Sequence, residues 1–410
     1  MMQTDYDFIV VGGGAAGFFA AINAAAMNPE LSVLILERGK EVLTKVKVSG
    51  GGRCNVTHAE FVPADLSAYY PRGRKELLGP FHHFMTGDVM EWFEDKGVAL
   101  KIEEDGRMFP TTDSSQTIID CFLQEAEKTG VRVQTSAAVK SVRREDDHWS
   151  IETQNQTYTC SKLMIATGSN PKMWKLLEKL GHVIVPPVPS LFTFNIKDER
   201  IEDLAGIAVD TRVEVYDDDR KVLDSEGPLL ITHWGMSGPT ILKLSAWGAR
   251  TLAPLHYNFK IKVNWLNGLD LMDTEHVFEF QRVNHGKKQL STDVQWGLPK
   301  RLWKSLVAAA GILSTTSWAA LTKQQRTALG EQLTAGEFSV TGKSTFKEEF
   351  VTAGGVSLKE VDFKNFESKI TPDLFLAGEV LDIDAITGGF NFQNAWTGAY
   401  LVAQSVAKSK

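Results

Sequence analysis

The sequence has little cysteine, and its acidic residues outnumber its basic ones. The three cysteines, Cys54, Cys121 and Cys160, form no CxxC pair. This pattern excludes a disulfide scaffold and a cysteine-built zinc cluster, and it is typical of a protein from a reducing cytoplasm. With 44 basic against 51 acidic residues, the formal net charge is −7. Because we find no Lys/Arg-rich stripe either, we do not expect binding to nucleic acid or to an anionic membrane.

The rest of the composition is that of a folded protein. Hydrophobic residues make up 43% and charged residues 23% of the 410 residues, which excludes disorder as the main property. The chain is too long for one hydrophobic core, so we expect two or three packed units. A long apolar run at residues 8–27 follows two acids and no Lys or Arg. It therefore lacks the basic flank of an export signal.

The apolar run instead contains the pattern of a dinucleotide-binding fold. Residues 8–11 predict a buried parallel strand, residues 18–27 a helix, and residues 31–36 a second strand followed by Glu37. The glycines between the first strand and the helix, at positions 12, 14 and 17, match G-x-G-x-x-G. The alternative is a glycine-rich turn that only packs the helix on the strand.

Each position in this fingerprint has a physical role. Gly12 allows a tight turn, Gly14 lets the backbone approach a pyrophosphate, and Gly17 lets the helix pack closely on the strand. The helix N-terminus offers N–H groups and partial positive charge to the phosphates. Glu37 can accept hydrogen bonds from both hydroxyls of an adenosine ribose. The candidate cofactor-binding residues of this region are Gly12, Gly14, Ala15, Ala16, Gly17, Glu37 and Arg38.

The C-terminal region favours FAD over NAD. A short predicted strand at residues 374–376 leads into an Ala-Gly-Glu turn, and a glycine pair at 388–389 precedes an Ala/Gly-rich segment. In flavoproteins of the glutathione-reductase type, the acid of such a turn meets the ribitol, and the last helix directs its N-terminus at the flavin pyrimidine edge. The alternative is a C-terminal helix with a structural role. The candidate cofactor residues here are Gly378, Glu379, Gly389, Phe390, Asn391 and Phe392.

Between the two ends, residues 163–168 predict an apolar strand that ends in Ala166, Thr167 and Gly168, where backbone passes the cofactor. Val139 lies in a predicted small β-meander and is a candidate adenine contact. The segment KVKVSGGGRCN at residues 45–55 has three consecutive glycines, whose backbone can lie against a flat ring or a phosphate. Its candidate cofactor residues are Lys45, Gly51, Gly52, Arg53, Cys54 and Asn55.

We expect three side chains of this segment to have different roles. Arg53 is expected to meet pyrophosphate oxygens, and Asn55 to bond cofactor heteroatoms. Cys54 has no thiol partner nearby in the sequence, so we do not expect dithiol chemistry. The favoured interpretation of Cys54 is a small packed side chain.

Two motifs, KVKVSGGGRCN at residues 45–55 and GEVLDIDAITGGFNFQNAWTGA at residues 378–399, resemble one flavoprotein family. The segments EEDGRMFP at 103–110, THWGMSGP at 232–239 and TAGGV at 352–356 extend the resemblance over almost the whole chain. The family is the BaiN-type and aminoacetone oxidase-like group of NAD(P)/FAD-dependent oxidoreductases. The resemblance implies bound FAD, a glutathione-reductase-type FAD fold, an inserted β-barrel and a small helical insertion.

This chain departs from the family's pattern just before the glycine pair. Thr387 stands where a cysteine is expected, and Asp384-Ala385-Ile386 replaces the commoner Asp-Gly-Arg. The surroundings of the flavin therefore differ, and the substrate is not carried over from the family.

The expected fold class is α/β, with a Rossmann-like FAD-binding domain and an inserted β-barrel domain that carries a small helical subdomain. Alternating apolar and polar residues at 209–215 and 257–265 predict half-buried antiparallel strands. A helical period follows from about residue 268 to 336. The predicted boundaries are 1–189 and 357–410 for the FAD-binding domain, 190–267 and 337–356 for the barrel, and 268–336 for the helical subdomain.

The predicted redox centre is non-covalent FAD, and no metal site is expected. There is no second G-x-G-x-x-G, so no separate NAD(P)H domain is expected, although NAD(P)H is a candidate electron donor by direct docking. The favoured function is an NAD(P)H-linked reductase of an activated C=C bond, of the BaiN type. The alternative is a flavin-dependent amine oxidase that uses dioxygen. A flavin sensor and an RNA-modifying flavoprotein are less favoured.

The expected partner is a small-molecule substrate, and the sequence assigns no catalytic residue. His233 and Trp234, in the THWGMSGP turn, have two interpretations. Either they reach the site, or they belong to a structural turn with Trp234 in the core; the second is favoured.

Overall fold

The computed structural model describes residues 4–344 and 351–408. The chain divides into two compact units. The first comprises Met1–Val188 and Val351–Lys410, and the second comprises Pro189–Phe350.

The first unit is built from a large mixed sheet, two small sheets and surrounding helices. Its strands are β1 Thr4–Val11, β2 Val33–Leu36, β3 Thr57–His58, β4 Leu100–Ile102, β5 Arg107–Pro110, β6 Arg132–Gln134, β7 Ser141–Glu145, β8 His148–Glu152, β9 Thr157–Ile165, β10 Ile184–Ser190, β18 Val351–Val356, β19 Val361–Asp362, β20 Glu367–Ser368 and β21 Leu374–Leu376. Its helices are α1 Ala15–Met27, α2 Thr44–Gly52, α3 Pro63–Ala68, α4 Arg74–Phe81, α5 Thr86–Asp95, α6 Ser115–Lys128, α7 Pro171–Lys179 and α13 Phe390–Lys408.

The second unit is a strand-rich body with a helical segment. Its strands are β11 Thr193–Asn195, β12 Ala208–Asp217, β13 Arg220–Thr232, β14 Gly235–Ser237, β15 Asn258–Asn264, β16 Gly336–Thr341 and β17 Lys343–Ser344. Its helices are α8 Pro239–Trp247, α9 Ala249–Leu252, α10 Leu271–Asn284, α11 Lys300–Ala309 and α12 Lys323–Ala335.

The main sheet of the first unit brings four strand ends to one edge. β1 lies between β9 and β2, and β21 lies on the far side of β9; all four strands are parallel. In the register of the sheet, Val11 faces Leu36 and Ile165, and Ile165 faces Leu376. The segments that follow these four residues therefore emerge side by side. In open α/β sheets, ligands bind at the carboxyl edge of the strands.

Apolar sequence on both faces explains why this sheet is buried. β2 is fully buried, and residues 8–11 of β1 are at most 4% exposed, as a parallel sheet covered by helices requires. α1 and α13 cover it and contact each other through Phe19 and Trp396, whose ring centroids are 5.2 Å apart. The fingerprint helix and the C-terminal helix are therefore held together by core packing.

The second unit contains a sheet that closes on itself. The strand order is β16-β15-β12-β13-β14-β11-β17, and the ladders are antiparallel. The first and last strands of this order, β16 and β17, are consecutive in the chain and separated only by Gly342. The sheet is therefore a barrel, as the alternating pattern predicts.

Two features of the structure differ from the predicted boundaries. β18, which we expected in the barrel, lies in the first unit and pairs with β10. A Cβ at Gly354 would lie 2.6 Å from Pro187 Cα, so this glycine permits the close approach of the two strands. The helical segment is not a separate unit, because its helices share one hydrophobic core with the barrel strands. Residues 345–350 of the predicted barrel lie outside the described residues.

Candidate cofactor site

The turn after β1 shows why each fingerprint glycine is needed. A Cβ at Gly12, where φ is +118°, would lie 2.4 Å from Ala166 O, and a Cβ at Gly17 would lie 2.0 Å from Gly12 O. These two glycines allow close packing of backbone on backbone. A Cβ at Gly14 would meet nothing within 4 Å. Gly14 therefore faces open space at the start of α1, where the fingerprint places a pyrophosphate.

The start of α1 presents unused hydrogen-bond donors. The N–H groups of residues 14–17 have no partner among the described residues, and the first bond of the helix is from Phe18 N to Gly14 O at 3.0 Å. A helix N-terminus with free N–H groups and open space in front of it fits a phosphate group. Gly14, Ala15, Ala16 and Gly17 thus lie at this helix start, and their contact with a cofactor stays a prediction.

Glu37 is held at the end of β2 by two backbone donors. Gly13 N donates to Glu37 Oε2 at 2.8 Å, and Gly39 N donates to Oε1 at 2.6 Å. Each carboxylate oxygen keeps a lone pair for a further donor. Ala137 N donates to Glu37 O at 2.8 Å, which brings the segment of half-buried Val139 beside this carboxylate. Exposed Arg38 has no ion-pair partner in the described part of the chain.

Glu37→Ala should weaken FAD binding by roughly 1.5–3 kcal/mol, because it removes a charged acceptor from the ribose. Glu37→Gln should weaken it less, since Gln keeps one acceptor. Isothermal titration of the apoprotein with FAD measures both changes. Equal dissociation constants for the wild type and both variants would show that Glu37 does not touch the ribose.

The segments after β9 and β21 meet at the same edge. Gly168 has φ +62°, and a Cβ there would lie 3.4 Å from Glu379 Oε2. Lys45 Nζ pairs with Glu379 at 2.5 Å. The hydroxyl oxygen of Thr167 is buried and has no hydrogen-bond partner among the described residues. An orphaned buried hydroxyl one residue before the contact of Gly168 with Glu379 fits a polar ligand at this edge.

Gly378 and Ala166 complete the contact between these segments. A Cβ at Gly378, where φ is +77°, would lie 3.4 Å from Ala16 Cβ. Ala166 N donates to Val11 O at 2.8 Å. The predicted residues from the N-terminal, middle and C-terminal regions are therefore brought together, although their contact with a cofactor stays a prediction.

The glycine loop has a geometry that only glycine adopts without strain. Gly50, Gly51 and Gly52 have φ of +58°, +69° and +85°, and a Cβ at Gly51 or Gly52 would meet nothing within 4 Å. The loop interrupts α2, in which Ser49, Gly50 and Gly51 are not helical. Its backbone is therefore open to a ligand, as the sequence suggests.

Arg53 has partners that we did not predict. Its Nη1 lies 2.6 Å from Glu103 Oε1 and 3.5 Å from Asp113 Oδ1, and its guanidinium stacks 3.9 Å above the Phe109 ring. In this arrangement two carboxylates neutralise the charge that we assigned to a pyrophosphate. The interaction with Glu103 raises the pKa of Arg53 further above its ordinary value.

Cys54 and Asn55 connect the loop to its surroundings. Burial raises the pKa of the Cys54 thiol to about 12, so it is a neutral packed side chain at physiological pH. The Asn55 amide satisfies its neighbours when its nitrogen donates to Thr57 O at 3.0 Å and to Met108 O at 3.2 Å, and its oxygen accepts from Gly389 N at 3.0 Å. Asn55 therefore ties the glycine loop to the turn before α13.

That turn is fixed by close backbone contacts. Gly389 has φ +94°, and a Cβ there would lie 2.5 Å from Thr57 O. The N–H groups of Phe390, Asn391 and Phe392 have no hydrogen-bond partner among the described residues, and the first bond of α13 runs from Gln393 N to Gly389 O at 3.0 Å. α13 therefore offers a second set of free donors and the positive end of a helix dipole.

The side chains of this first helical turn make contacts within the protein and not at the open N-terminal end of the helix. Buried Phe390 stacks on Tyr69 with 4.3 Å between ring centroids, and Phe392 stacks on Trp396 at 5.5 Å. The Asn391 amide donates to Ala385 O at 3.2 Å and accepts from Ala385 N at 3.0 Å. The predicted contribution of this turn to cofactor binding is therefore limited to its backbone.

His58 is a residue that sequence reasoning did not place in this region. Its Nδ1 lies 3.1 Å from Gly388 O, and its ring centroid is 4.5 Å from that of Phe390. Burial lowers its pKa, so the ring is neutral at pH 7. A signal was available, because His58 follows the SGGGRCN motif by three residues.

A buried ion pair fixes the segment before the glycine pair. Arg72 makes a two-pronged contact with Asp384, whose side chain is fully buried. A Cβ at neighbouring Gly73 would lie 2.8 Å from Ile383 Cγ1. The segment that departs from the family's pattern is therefore clamped by the connection between α3 and α4.

In the second unit, His233 and Trp234 form the tip of the β13–β14 hairpin. Thr232 pairs with Gly235 across the turn, and Trp234 is 60% exposed. The interpretation of Trp234 as a core residue is therefore wrong. A two-residue turn places both side chains beyond the last strand pair, where the core cannot cover them.

The fold and the donor-lined sheet edge together define a dinucleotide-binding protein of the flavoprotein type. The family model described as "HI0933-like protein Rossmann domain" matches residues 6–405. The chain belongs to this family, and it is an FAD-dependent oxidoreductase. The predicted fold class and the predicted family are both confirmed.

Similarity to characterised proteins extends over the full length. The chain is 30% identical to the ribosomal RNA dihydrouridine synthase of Escherichia coli (strain K12) over 416 residues, with 99% of each chain covered. It is 25% identical to the 3-dehydro-bile acid delta(4,6)-reductase of Clostridium scindens over 407 residues, with 97% of this chain and 98% of the relative covered.

Among solved structures, 3-ketosteroid-delta4-(5alpha)-dehydrogenase from Rhodococcus jostii RHA1 has a TM-score of 0.54 at 15% identity, covering 100% of this chain and 98% of the other. This likeness concerns the fold. Of the helices in residues 4–344 and 351–408, none combines the length and the apolar character that crossing a bilayer requires.

Proposed function

We propose that this chain reduces a carbon–carbon double bond conjugated to a carbonyl, with non-covalent FAD as its redox centre. The observation that carries the proposal is full-length similarity to proteins whose names describe this bond change. A 3-dehydro-bile acid with Δ4 and Δ6 double bonds is an enone. Dihydrouridine is uridine with its C5=C6 bond saturated, and that bond is conjugated to a ring carbonyl.

The residues of the sheet edge support this cofactor. The free N–H groups of residues 14–17 would hold the pyrophosphate, and Glu37 the adenosine ribose. Glu379 would hold the ribitol, and the backbone N–H groups at the start of α13 would face the pyrimidine edge of the ring. FAD, when bound, supplies two-electron redox chemistry. The helix N-terminus favours negative charge at the place where reduction creates it.

We further propose NAD(P)H as the electron donor. The fingerprint occurs once in the sequence, at residues 12–17. A nicotinamide would therefore bind by direct docking at the flavin site. His58, Tyr69 and Tyr70 are titratable side chains that contact Phe390 at the start of α13. Tyr70 is buried and its hydroxyl donates to Phe390 O, so His58 and Tyr69 are the candidates for positioning a substrate carbonyl.

Two substrate classes fit the same bond change. A small enone is the partner that we expect from the sequence. A uridine within ribosomal RNA is the second candidate, and it is favoured by the higher identity of 30% over 99% of both chains. Both substrates gain two electrons and two protons across a polarised C=C bond, so the redox site does not distinguish them.

Anaerobic mixing of the oxidised holoprotein with possible electron donors tests the reductive half of the proposal. NADH or NADPH should bleach the visible flavin absorbance, and primary amines should leave it unchanged. Free FAD at the same concentration is the control. Bleaching by an amine alone would replace the reductase with the amine oxidase, and a flavin that no donor reduces would favour the sensor.

A further inference from the structure

Basic residues are concentrated in one segment of the second unit. Residues 282–304 contain a single acid, Asp293, and the basic residues Arg282, Lys287, Lys288, Lys300, Arg301 and Lys304. The whole chain has a formal net charge of −7. The positive charge is therefore a local feature, which the net charge of the chain conceals.

Most of these cations are not neutralised. Arg282 pairs with Glu279 at 2.6 Å, and Lys288 pairs with Asp293 at 3.3 Å. The remaining four, Lys287, Lys300, Arg301 and Lys304, are exposed and have no ion-pair partner in the part of the chain that the structure describes. Cations without partners attract phosphate groups and release their counterions on binding.

The basic residues of the two helical regions lie on adjoining elements. Lys300 and Lys304 are one turn apart on α11, whose opposite face, including Trp303, is buried. Trp303 Nε1 donates to Leu290 O at 2.9 Å. This bond fastens α11 to the segment that follows α10, which carries Lys287. The unpaired cations therefore lie on α11 and on the segment to which α11 is fastened.

Exposed apolar and aromatic groups accompany the charge. On α10, Phe280 is 58% exposed and Val283 is 70% exposed. The Phe280 ring centroid lies 6.3 Å from that of His285, in the segment that precedes Lys287. An exposed aromatic side chain can stack on an unstacked RNA base, while unpaired cations hold the RNA backbone electrostatically.

We propose that this surface, defined as Phe280, Lys287, Lys300, Arg301 and Lys304, binds unpaired RNA. The inference rests on the second substrate candidate of the proposed function, a uridine within RNA. It specifies the surface of the second unit that would bind the nucleic acid outside the redox site. Phosphates would contact the α11 cations, and an unstacked base would contact Phe280.

α7 in the first unit offers a matched control. It carries three exposed lysines, Lys172, Lys175 and Lys179, on one helix, as α11 carries three exposed cations. The aromatic residue of α7, Trp174, is buried. α7 therefore has a similar number of cations without the exposed aromatic partner.

The test compares the holoprotein with two triple variants, K300Q/R301Q/K304Q and K172Q/K175Q/K179Q. The probes are protein-free bacterial ribosomal RNA and a fluorescent oligouridine, and binding is followed by fluorescence anisotropy at several salt concentrations. Three lost phosphate contacts on a single strand should lower the salt slope by about 2 and the affinity roughly 100-fold near 0.1 M salt. The α7 variant should bind as the wild type does.

Phe280→Ala separates stacking from charge. It should weaken oligouridine binding about tenfold while leaving the salt slope unchanged. The inference is overturned if the wild type binds neither RNA, or if the α7 and α11 variants are weakened equally. It is also overturned if the α11 variant keeps RNA binding and loses only binding to phosphatidylserine-containing vesicles, since that would identify a membrane surface.

A second readout separates this inference from the proposed function. The α11 variant should reduce a small enone at the wild-type rate, because none of its changed residues belongs to the cofactor site. A holoprotein that reduces no conjugated C=C bond and yet binds RNA through α11 would contradict the proposed function and support the surface. The reverse result would contradict the surface alone.

Discussion

Gly14→Asp should weaken FAD binding strongly and leave the fold intact. In the structure a Cβ at Gly14 meets nothing within 4 Å, and the residue has φ −96° and ψ −167°, which any residue adopts. Aspartate is moreover a preferred N-cap residue. A carboxylate facing the pyrophosphate should cost several kcal/mol, which corresponds to a rise in Kd on the order of 1,000-fold. Titration of the apoprotein with FAD, together with thermal unfolding, measures both effects.

Gly17→Ala is the contrasting control for this prediction. A Cβ at Gly17 would lie 2.0 Å from Gly12 O, so this change should lower the stability of the apoprotein itself. Tight FAD binding by Gly14→Asp would show that the phosphates do not lie at the start of α1. A loss of stability in Gly14→Asp equal to that in Gly17→Ala would show that the open space is not there.

Asp384→Ala should lower the free energy of unfolding of the apoprotein by about 3–5 kcal/mol. The side chain of Asp384 is 0% exposed and that of Arg72 is 9% exposed. The change removes a charge-assisted, two-pronged contact from a buried place, and this accounts for most of the loss. Urea titration of the apoprotein measures the change without a contribution from FAD.

The double variant R72M/D384L tests whether the buried guanidinium that remains in Asp384→Ala contributes to the loss. Replacing both partners by apolar side chains removes the buried charge, so the double variant should be more stable than Asp384→Ala alone. A loss below about 1 kcal/mol in Asp384→Ala would mean that the pair behaves as a solvated surface pair. In that case the clamp on the segment before Gly388 would not be a stability element.

The fingerprint could be predicted from the sequence because its determinants are local. Strand, glycine turn, helix and second strand follow one another within residues 4–37, and each depends on neighbouring residues. The positive φ of Gly12 and the tight packing at Gly17 follow from the same spacing. The N-terminal and C-terminal motifs could be predicted to lie close together, because both are typical of binding to the same cofactor.

The partners of Arg53, Asn55 and Asp384 could not be predicted, because they depend on residues far away in sequence. Arg53 contacts Glu103, Asn55 contacts Gly389, and Asp384 contacts Arg72. A polar side chain in a motif can bind either the cofactor or another part of the protein. Only the tertiary contacts show which of the two it binds. Asn391 shows the same ambiguity, since its amide is used by Ala385.

Some features of the second unit could not be predicted for a different reason. Strand alternation predicted a barrel, but the exposure of Trp234 depends on which two residues form the hairpin turn. The boundary at β18 differs from the predicted one because a strand that is buried on both faces fits either core. Averaging charge over the whole chain concealed the basic segment 282–304, although a shorter window would have revealed it.

The central claim is that flavin held at this sheet edge passes its electrons to a conjugated C=C bond. A single turnover tests it most directly. Holoprotein titrated with dithionite to full reduction is mixed, without oxygen, with a cyclic enone or with a uridine-containing RNA. The account predicts that the absorbance of oxidised flavin returns, with one saturated product formed per flavin. Absorbance that stays bleached with both substrates and returns only when dioxygen is admitted would contradict it.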